Sequence, residues 1–272
     1  MKSLAHQSVE EMGGAGSVLS RQKRDHVKLD RLLGRLGAAP PAEQNAVLLQ
    51  IYRLVFPHAY AEETVLWPVI RRVLVDGHEL TLQVELEHQE INELATRLET
   101  LEQSSAERHR VLERLVELLR EDVRDEEDKL LPALQMKLGV SELRRLGIAW
   151  EAVRALSPTR PHAIVSRRPP GNVLAAVPLT ILDHCRDGVD SLIRGRTGAA
   201  SSPLKGLSSS LARASNALER LPGLRRGEDP STRRGTARPP WAAAAIVTIV
   251  AASVALAMAG RKTGKRSSNG AI

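Results

Sequence analysis

Two short blocks of the sequence place an imidazole or a carboxylate four residues before a second carboxylate. In the first block His58 precedes Glu62, and in the second Asp122 precedes Glu126. Residues four apart lie on one face of a helix, one turn apart. Each block continues the apolar stripe of its helix, so these polar side chains are expected inside the protein. A buried carboxylate is costly unless it is paired or bound to a metal, so the blocks predict a buried metal site.

Two further histidines, His26 and His88, fall in phase with the apolar residues of two other helical patterns. A histidine on an apolar face is usually an ordinary core residue, and most charges on helices face water. The coincidence of two blocks and two histidines favours four helices that present ligands at one level. Glu85, three residues before His88, is a candidate acceptor for the ring N–H of that histidine. Mixed imidazole and carboxylate ligands suit iron, and less selectively manganese or zinc.

The elements that must position these residues are four long helices and a short fifth one. The apolar periodicity places them over about 17–36, 41–75, 79–103, 104–138 and 141–156. Pro41 is expected to open the second helix at its first turn. Pro57 and Pro68 lie inside that helix, and each is expected to kink it. The short fifth helix is expected to cap the bundle, so residues 1–156 form the first predicted domain.

Composition limits the classes of function that fit this chain of 272 residues. Cys185 is the single cysteine, so no internal disulfide can form, which fits a reducing compartment. Residues 157–272 carry 18 Lys and Arg against 6 Asp and Glu, whereas residues 1–156 have a net charge of −5. No Ser-His-Asp arrangement, phosphate-binding loop or Cys-x-x-Cys motif is present. Because aromatic residues are not interleaved with the basic ones, we expect no nucleic-acid partner.

The chain after residue 156 changes in texture. Residues 157–240 read as a basic linker rich in Pro, Gly and Ser, with short amphipathic helices at 173–193 and 204–221. Either segment could rest on a membrane surface, and a partly disordered spacer over 196–240 is the alternative. Residues 241–260 contain no charge and at about 1.5 Å per residue would span roughly 30 Å, which predicts a transmembrane helix. A basic tail, 261–272, follows.

The motifs of the first domain resemble the hemerythrin family, in its bacterial form often called the HHE cation-binding domain. The motifs that carry this resemblance over about residues 18–138 are Asp25-His26, His58-x-x-x-Glu62-Glu63 with Trp67-Pro68, Glu87-His88, and Glu126-Glu127 with Leu131-Pro132. The resemblance implies an antiparallel four-helix bundle around a carboxylate-bridged, non-haem di-iron centre that binds oxygen or related small species.

The resemblance also implies a set of metal ligands. Five residues match family ligand positions: His26, His58, Glu62, His88 and Glu126. Glu62 and Glu126 match the bridging carboxylates. Asp122 is a departure, because the family has histidine at this position. Asp122 could still bind the metal, a water molecule could occupy the ligand position instead, or one of the two metal ions could be lost. The expected centre therefore holds two irons or one.

The expected fold class is therefore an all-α, antiparallel four-helix bundle with a C-terminal linker and a single C-terminal transmembrane helix. The bundle is expected in the cytoplasm, with membrane lipid as a partner through 241–260. The expected function is binding of O2, NO or peroxide as a sensor, store or detoxifier. A metal-free helical adaptor at the membrane and a peroxide-degrading oxidoreductase are the alternatives, so whether the protein is an enzyme stays open. The sequence does not identify a protein partner.

Overall fold

The computed structural model describes residues 2–194 and 202–233, and every regular element in that part of the chain is helical. The helices are α1 (Val18–Ala38), α2 (Pro41–Ala61), α3 (Trp67–Val73), α4 (Gly77–Leu98), α5 (Ala106–Asp125), α6 (Leu131–Lys137), α7 (Val140–Ala155), α8 (Gly171–Arg194) and α9 (Ser202–Leu218). Two short 3-10 helices lie at Leu4–His6 and Pro222–Arg225.

Helices α1, α2, α4 and α5 form a four-helix bundle, as the sequence predicts. Short connections favour antiparallel neighbours, and residues 39–40 alone join α1 to α2. The hydroxyl of Ser17 caps α1 by accepting a hydrogen bond from the backbone N–H of Leu19 at 3.2 Å. Pro41 stands at the first turn of α2, where its missing N–H costs nothing. These local signals set the starts of the helices that carry the predicted ligands.

The second and fourth predicted helices are each interrupted by a π-helical turn, which the sequence analysis does not predict. The two wide turns are Glu62–Leu66, before α3, and Glu126–Leu130, before α6. In the first, the N–H of Trp67 binds the carbonyl of Glu62, and in the second Leu131 binds Glu126 in the same way. A proline follows in both cases. Proline in an α-helix clashes with the carbonyl four residues earlier, and a wider turn relieves that conflict.

Apolar side chains form two cores in the bundle, one on each side of the predicted ligands. The first core lies towards the α1–α2 connection and includes Leu36, Ile51 and Leu115. The second core lies where α3, α6 and α7 meet and includes Trp67 and Trp150. On each of the four bundle helices, the polar ligand positions separate the residues of one core from those of the other.

Helix α7 covers one end of the bundle, close to its predicted range of 141–156. A Cβ added to Gly147 would lie 2.3 Å from the carbonyl oxygen of Gly16, so glycine lets α7 lie directly against the start of α1. Trp150 of α7 is fully buried, and its ring centroid is 5.3 Å from that of His58. The fifth helix therefore shields the predicted site from solvent.

Residues 157–233 form a packed unit in their described part, rather than an open spacer. Helices α8 and α9 overlap the segments 173–193 and 204–221, and their apolar faces meet in a third core that includes Leu179 and Leu211. The unit is held to α2 by an ion pair of 2.8 Å between Arg53 and Asp187, and by the hydroxyl of Tyr60, which donates to the carbonyl of Asn172.

The predicted C-terminal transmembrane helix is wrong for the described residues. The fold class is therefore corrected to an all-helical bundle without that helix, and the membrane localisation is withdrawn with it. No helix within residues 2–194 and 202–233 is both long and apolar enough to cross a bilayer. Helix α8 is long, but it carries four charged residues, Asp183, Arg186, Asp187 and Asp190. This polar face binds the bundle and the loop before α8. The predicted span, 241–260, lies outside the described residues.

A buried histidine, His162, joins the packed unit of residues 157–233 (the C-terminal unit) to the bundle. His162 has its two ring nitrogens 3.1 Å from Asp183 and 2.9 Å from Glu219, and all three side chains are buried. Its backbone N–H donates to the side-chain oxygen of Asn92 on α4 at 2.8 Å. Burial alone would lower the pKa of His162, but the negative charges of Asp183 and Glu219 outweigh it and raise the pKa to about 10.

Replacing His162 by glutamine is expected to lower the free energy of unfolding by about 3 kcal/mol at pH 6, because two buried carboxylates lose their charged partner. A raised folded-state pKa means that this stabilisation is complete below about pH 6.5 and is lost as pH rises towards 10. Urea unfolding at pH 6 and pH 9.5 should therefore show a difference between wild type and H162Q that shrinks with pH. His109→Gln, on an exposed histidine, is the control; an equal loss in both variants would contradict the prediction.

Candidate metal centre

The predicted ligand residues converge between the two cores of the bundle. His26 comes from α1, His58 from the end of α2, and His88 from α4. Glu62 and Glu126 are the first residues of the two wide turns. The six predicted positions, including Asp122, are all buried, with relative exposures of 0 to 8%.

Two overlapping groups of side chains are close enough to share a cation each. His26, His58 and Glu126 form one group, and Glu62, His88 and Glu126 form the other; within each group the ligand atoms lie within 4.8 Å of one another. Glu126 belongs to both. Its Oε2 is 3.2 Å from His26 Nε2, whereas its Oε1 is 3.8 Å from His88 Nε2. The two oxygens of this carboxylate therefore face different groups.

Glu62 is placed in the same way as Glu126. Its Oε1 lies 3.1 Å from His58 Nε2, and its Oε2 lies 3.8 Å from His88 Nε2. Asp122 completes the second group, with Oδ1 at 3.5 Å from the same nitrogen of His88. The site thus has two halves, one with two histidines and one with a histidine and an aspartate, joined by two glutamates.

Each histidine is oriented by a carboxylate behind it. The Nδ1 atom of His26 is 2.8 Å from Glu127, and that of His88 is 3.0 Å from Glu63. Asp25 lies 3.4 Å from Nδ1 of the third histidine, His58. A carboxylate that accepts the Nδ1 proton fixes the ring tautomer and leaves Nε2 as the donor for a metal.

These outer carboxylates were not all predicted. Glu85 is not the partner of His88; its carboxylate binds Arg71 at 2.5 Å and Arg168 at 2.7 Å instead. Glu63 takes that place, because the wide turn buries two consecutive glutamates. The sequence signal was the paired Glu-Glu, which occurs in both blocks.

Buried atoms without hydrogen-bond partners mark the interior of the site. Among the described residues, these include Nε2 of His26 and His88, Oδ1 of Asp122 and both carboxylate oxygens of Glu62 and Glu126. Leaving buried polar atoms unpaired costs free energy, so native proteins rarely collect several in one place. The atoms left unpaired here are the ones that a cation would bind, so the residues fit a metal.

The histidines have strongly raised affinities for protons in this environment. Burial alone would lower the pKa of His26, but contacts with Glu126 and Glu127 outweigh it and raise the pKa to about 9. For His58 the burial effect is outweighed by the negative charge of Glu62 and by further carboxylate contacts, and the pKa rises to about 10. In the absence of a cation, protons therefore compensate the carboxylates.

The carboxylates share the remaining charge unequally. Burial raises the pKa of Glu62 and Asp122, and the negative charge of Glu126 raises both further. Burial acts in the same direction on Glu126, but contacts with His26 and His88 outweigh it and hold the pKa of Glu126 below its ordinary value. Without a cation, a proton on Glu62 or Asp122 is therefore favoured.

Two cavities reach the site. A small one of about 20 Å³ is lined by the three candidate ligand histidines, by Asp122 and by apolar side chains such as Leu54. A groove of about 1040 Å³ runs between α1 and α5, and His26 and Glu127 are among its lining residues. The two cavities share His26, Leu29 and Val123, so the groove and the small cavity are adjacent.

Comparison with known proteins agrees with the geometry. The family described as the hemerythrin HHE cation binding domain matches residues 17–134. An uncharacterized hemerythrin-like protein of Schizosaccharomyces pombe is 24% identical over 145 residues, which cover 53% of this chain and 70% of that protein. No solved structure gives a significant match. Residues 17–134 therefore match the hemerythrin HHE cation-binding domain, and the chain is similar over that region to a hemerythrin-like protein.

Proposed function

We propose that this domain holds two iron ions and binds a small oxidant or gas, O2, NO or peroxide. The observation that carries the proposal is the arrangement of Glu62 and Glu126. In each of these carboxylates one buried oxygen faces one half of the site and the second oxygen faces the other half. Carboxylates can bridge two cations and offset their charge, which imidazoles cannot do. Iron is favoured because the donors are nitrogen and oxygen, and Cys185 lies far outside the ligand motifs.

The residues would be divided between the two ions as follows. His26 and His58 would hold one, and His88 with Asp122 would hold the other, while Glu62 and Glu126 would contribute to both. Bound iron would supply an open coordination position and a change of oxidation state. The chain itself supplies orientation, through the carboxylates behind the histidines, and exclusion of water, through Trp150 and the second core.

The size of the adjoining cavity supports a ligand of two or three atoms. A volume of about 20 Å³ is enough for roughly one water-sized molecule. Apart from the candidate ligands and Asp25, its walls are apolar, as at Leu54 and Val55, so a larger polar substrate would find few further hydrogen-bond partners. Reversible binding, as in a sensor or a store, therefore fits the site better than turnover of a large molecule.

Metal analysis of the full chain tests the proposal. The protein would be loaded with ferrous iron without oxygen, desalted and analysed for iron per chain, then exposed to O2 or NO while its spectrum is recorded. Two irons per chain and new near-ultraviolet bands are expected. No iron after loading would support a metal-free adaptor instead, and release of oxygen on adding peroxide would favour peroxide breakdown.

Replacing Asp122 by alanine is expected to lower the iron content from two per chain towards one. The half that contains His88 would keep only the shared glutamates as further ligands, whereas the half with His26 and His58 is unchanged. Iron per chain after loading measures this effect. Asp125→Ala, which removes an aspartate bound to Lys129 on the outside of the same helix, is the control. Two irons in both variants would exclude Asp122 as a ligand.

A further inference from the structure

Two of the three carboxylates behind the ligand histidines are contacted by arginines from outside the hemerythrin domain. Arg154 of α7 lies 2.6 Å from Oδ2 of Asp25, the carboxylate behind His58. Arg167, in the loop before α8, lies 3.7 Å from Oε1 of Glu63, the carboxylate behind His88. Both arginines follow residue 134, where the family match ends. The C-terminal part of the chain thus reaches the metal centre one contact away from the ligands.

Arg167 is fixed in place by its own loop. Its Nη2 donates to the carbonyl of His162 at 2.6 Å and to that of Val165 at 3.1 Å, and the residue is 5% exposed. Glu63 has no exposed surface. Charges that are both removed from water interact more strongly than a surface pair, because little solvent screens them. The guanidinium therefore interacts with Glu63 more strongly than it would with a carboxylate at the protein surface.

The third carboxylate differs from the other two. Glu127, behind His26, has no Lys or Arg within ion-pair distance among residues 2–194 and 202–233, and it lines the solvent groove instead. The C-terminal part therefore compensates the carboxylates of two histidines and leaves one uncompensated. This difference arises from the contacts of Arg154 and Arg167, because each of the three histidines has a carboxylate at its Nδ1 atom.

We propose that Arg154 and Arg167 are positioning residues that raise the reduction potential of the bound metal. The inference rests on the function proposed above. A carboxylate that accepts the Nδ1 proton makes the imidazole a stronger electron donor, which stabilises the oxidised metal. An arginine beside that carboxylate withdraws part of its negative charge, which favours the reduced metal. Outer hydrogen bonds and net charge are recognised means by which a protein sets the potential of its iron.

Redox titration of the iron-loaded full chain tests the proposal. Arg167→Met and Arg154→Met are each expected to lower the midpoint potential, with the oxidised-to-reduced ratio at a fixed potential rising about tenfold, or about 59 mV for a one-electron step. Arg167→Lys keeps the positive charge and should stay close to wild type. Arg168→Met is the matched control, since Arg168 pairs with Glu85 and Asp229 in the same loop but contacts no carboxylate behind a histidine.

The outcomes separate this inference from the proposed function. Wild-type protein that takes up no iron would overturn both. Iron-loaded R154M and R167M with the potential of wild type, and a loss of thermal stability like that of R168M, would show that the arginines only hold α7 and the C-terminal unit against the bundle. If R167M does not fold, R154M decides alone, because Arg154 is partly exposed and easier to replace. A shift in R167K as large as in R167M would also contradict the charge argument.

Discussion

The variant Glu126→Ala is expected to retain almost no iron under conditions that load the wild type with two ions per chain. Glu126 is common to both groups of ligands, so its removal takes a donor from each half of the site. Loss of a group that merely supports a ligand costs 10–100-fold in metal affinity, so loss of a shared ligand is expected to exceed about 100-fold. Iron per chain after desalting measures the effect.

Two further variants make this result specific. Glu126→Gln keeps the volume of the side chain but not its charge, and it should also lose iron if charge compensation matters. Asp128→Ala removes an exposed carboxylate from the same wide turn and should bind two irons. Circular dichroism would establish that all variants are folded. Full iron content in E126A would rule out Glu126 as a bridging ligand.

Removing the metal from wild-type protein is expected to lower its melting temperature by on the order of 10 °C. A ligand at a thousand times its dissociation constant stabilises the folded state by about 4 kcal/mol, and 1 kcal/mol shifts the melting temperature of a chain of this size by roughly 2–4 °C. The physical reason is that Glu62, Asp122 and Glu126 otherwise share one buried layer, compensated only by protons.

Calorimetry with and without a strong chelator measures this shift. The E126A variant provides the control, because its melting temperature should not respond to the chelator. An unchanged melting temperature in the wild type, combined with measured loss of iron, would mean that the folded protein is equally stable with and without the metal. The stabilising role of the cation would then be rejected.

The ligand level of the bundle could be predicted from the sequence because each ligand sits in a strong local pattern. His58 and Glu62 are four residues apart on an apolar stripe, and His26 and His88 interrupt two others. The structure brings these residues together where the pattern places them. Asp122 also points into the site, although its role as a ligand stays a prediction.

The wide turns could not be predicted in the same way. Apolar periodicity over a long helix changes little when one turn gains a single residue, so 41–75 looked continuous. The available signal was the repeated Glu-Glu followed five and six residues after the first glutamate by a large apolar residue and proline. Spacing alone also suggested Glu85 as the partner of His88, because it cannot show that Arg71 and Arg168 hold Glu85 elsewhere.

The contacts of the C-terminal unit could not be predicted from the sequence for a different reason. Its arginines looked like a basic surface for lipid, since composition reports charge and not its partner. In the structure Arg160 is 4% exposed and bound to Asp187, and Arg167 lies 3.7 Å from Glu63 beside the candidate metal site. Pairings that join positions far apart in the chain depend on tertiary packing, which no local pattern encodes.

The position of the ligand layer between the two cores bears on how the domain opens. Leu36 and Ile51 belong to one core, Trp67 and Trp150 to the other, and charged side chains occupy the level where they would otherwise fuse. Each core alone buries the apolar surface of only part of a bundle. A bound ion would join the two halves into one cooperative unit, whereas its loss would let the halves open more independently of each other. Such opening would expose the histidines to solvent and let an ion enter the site.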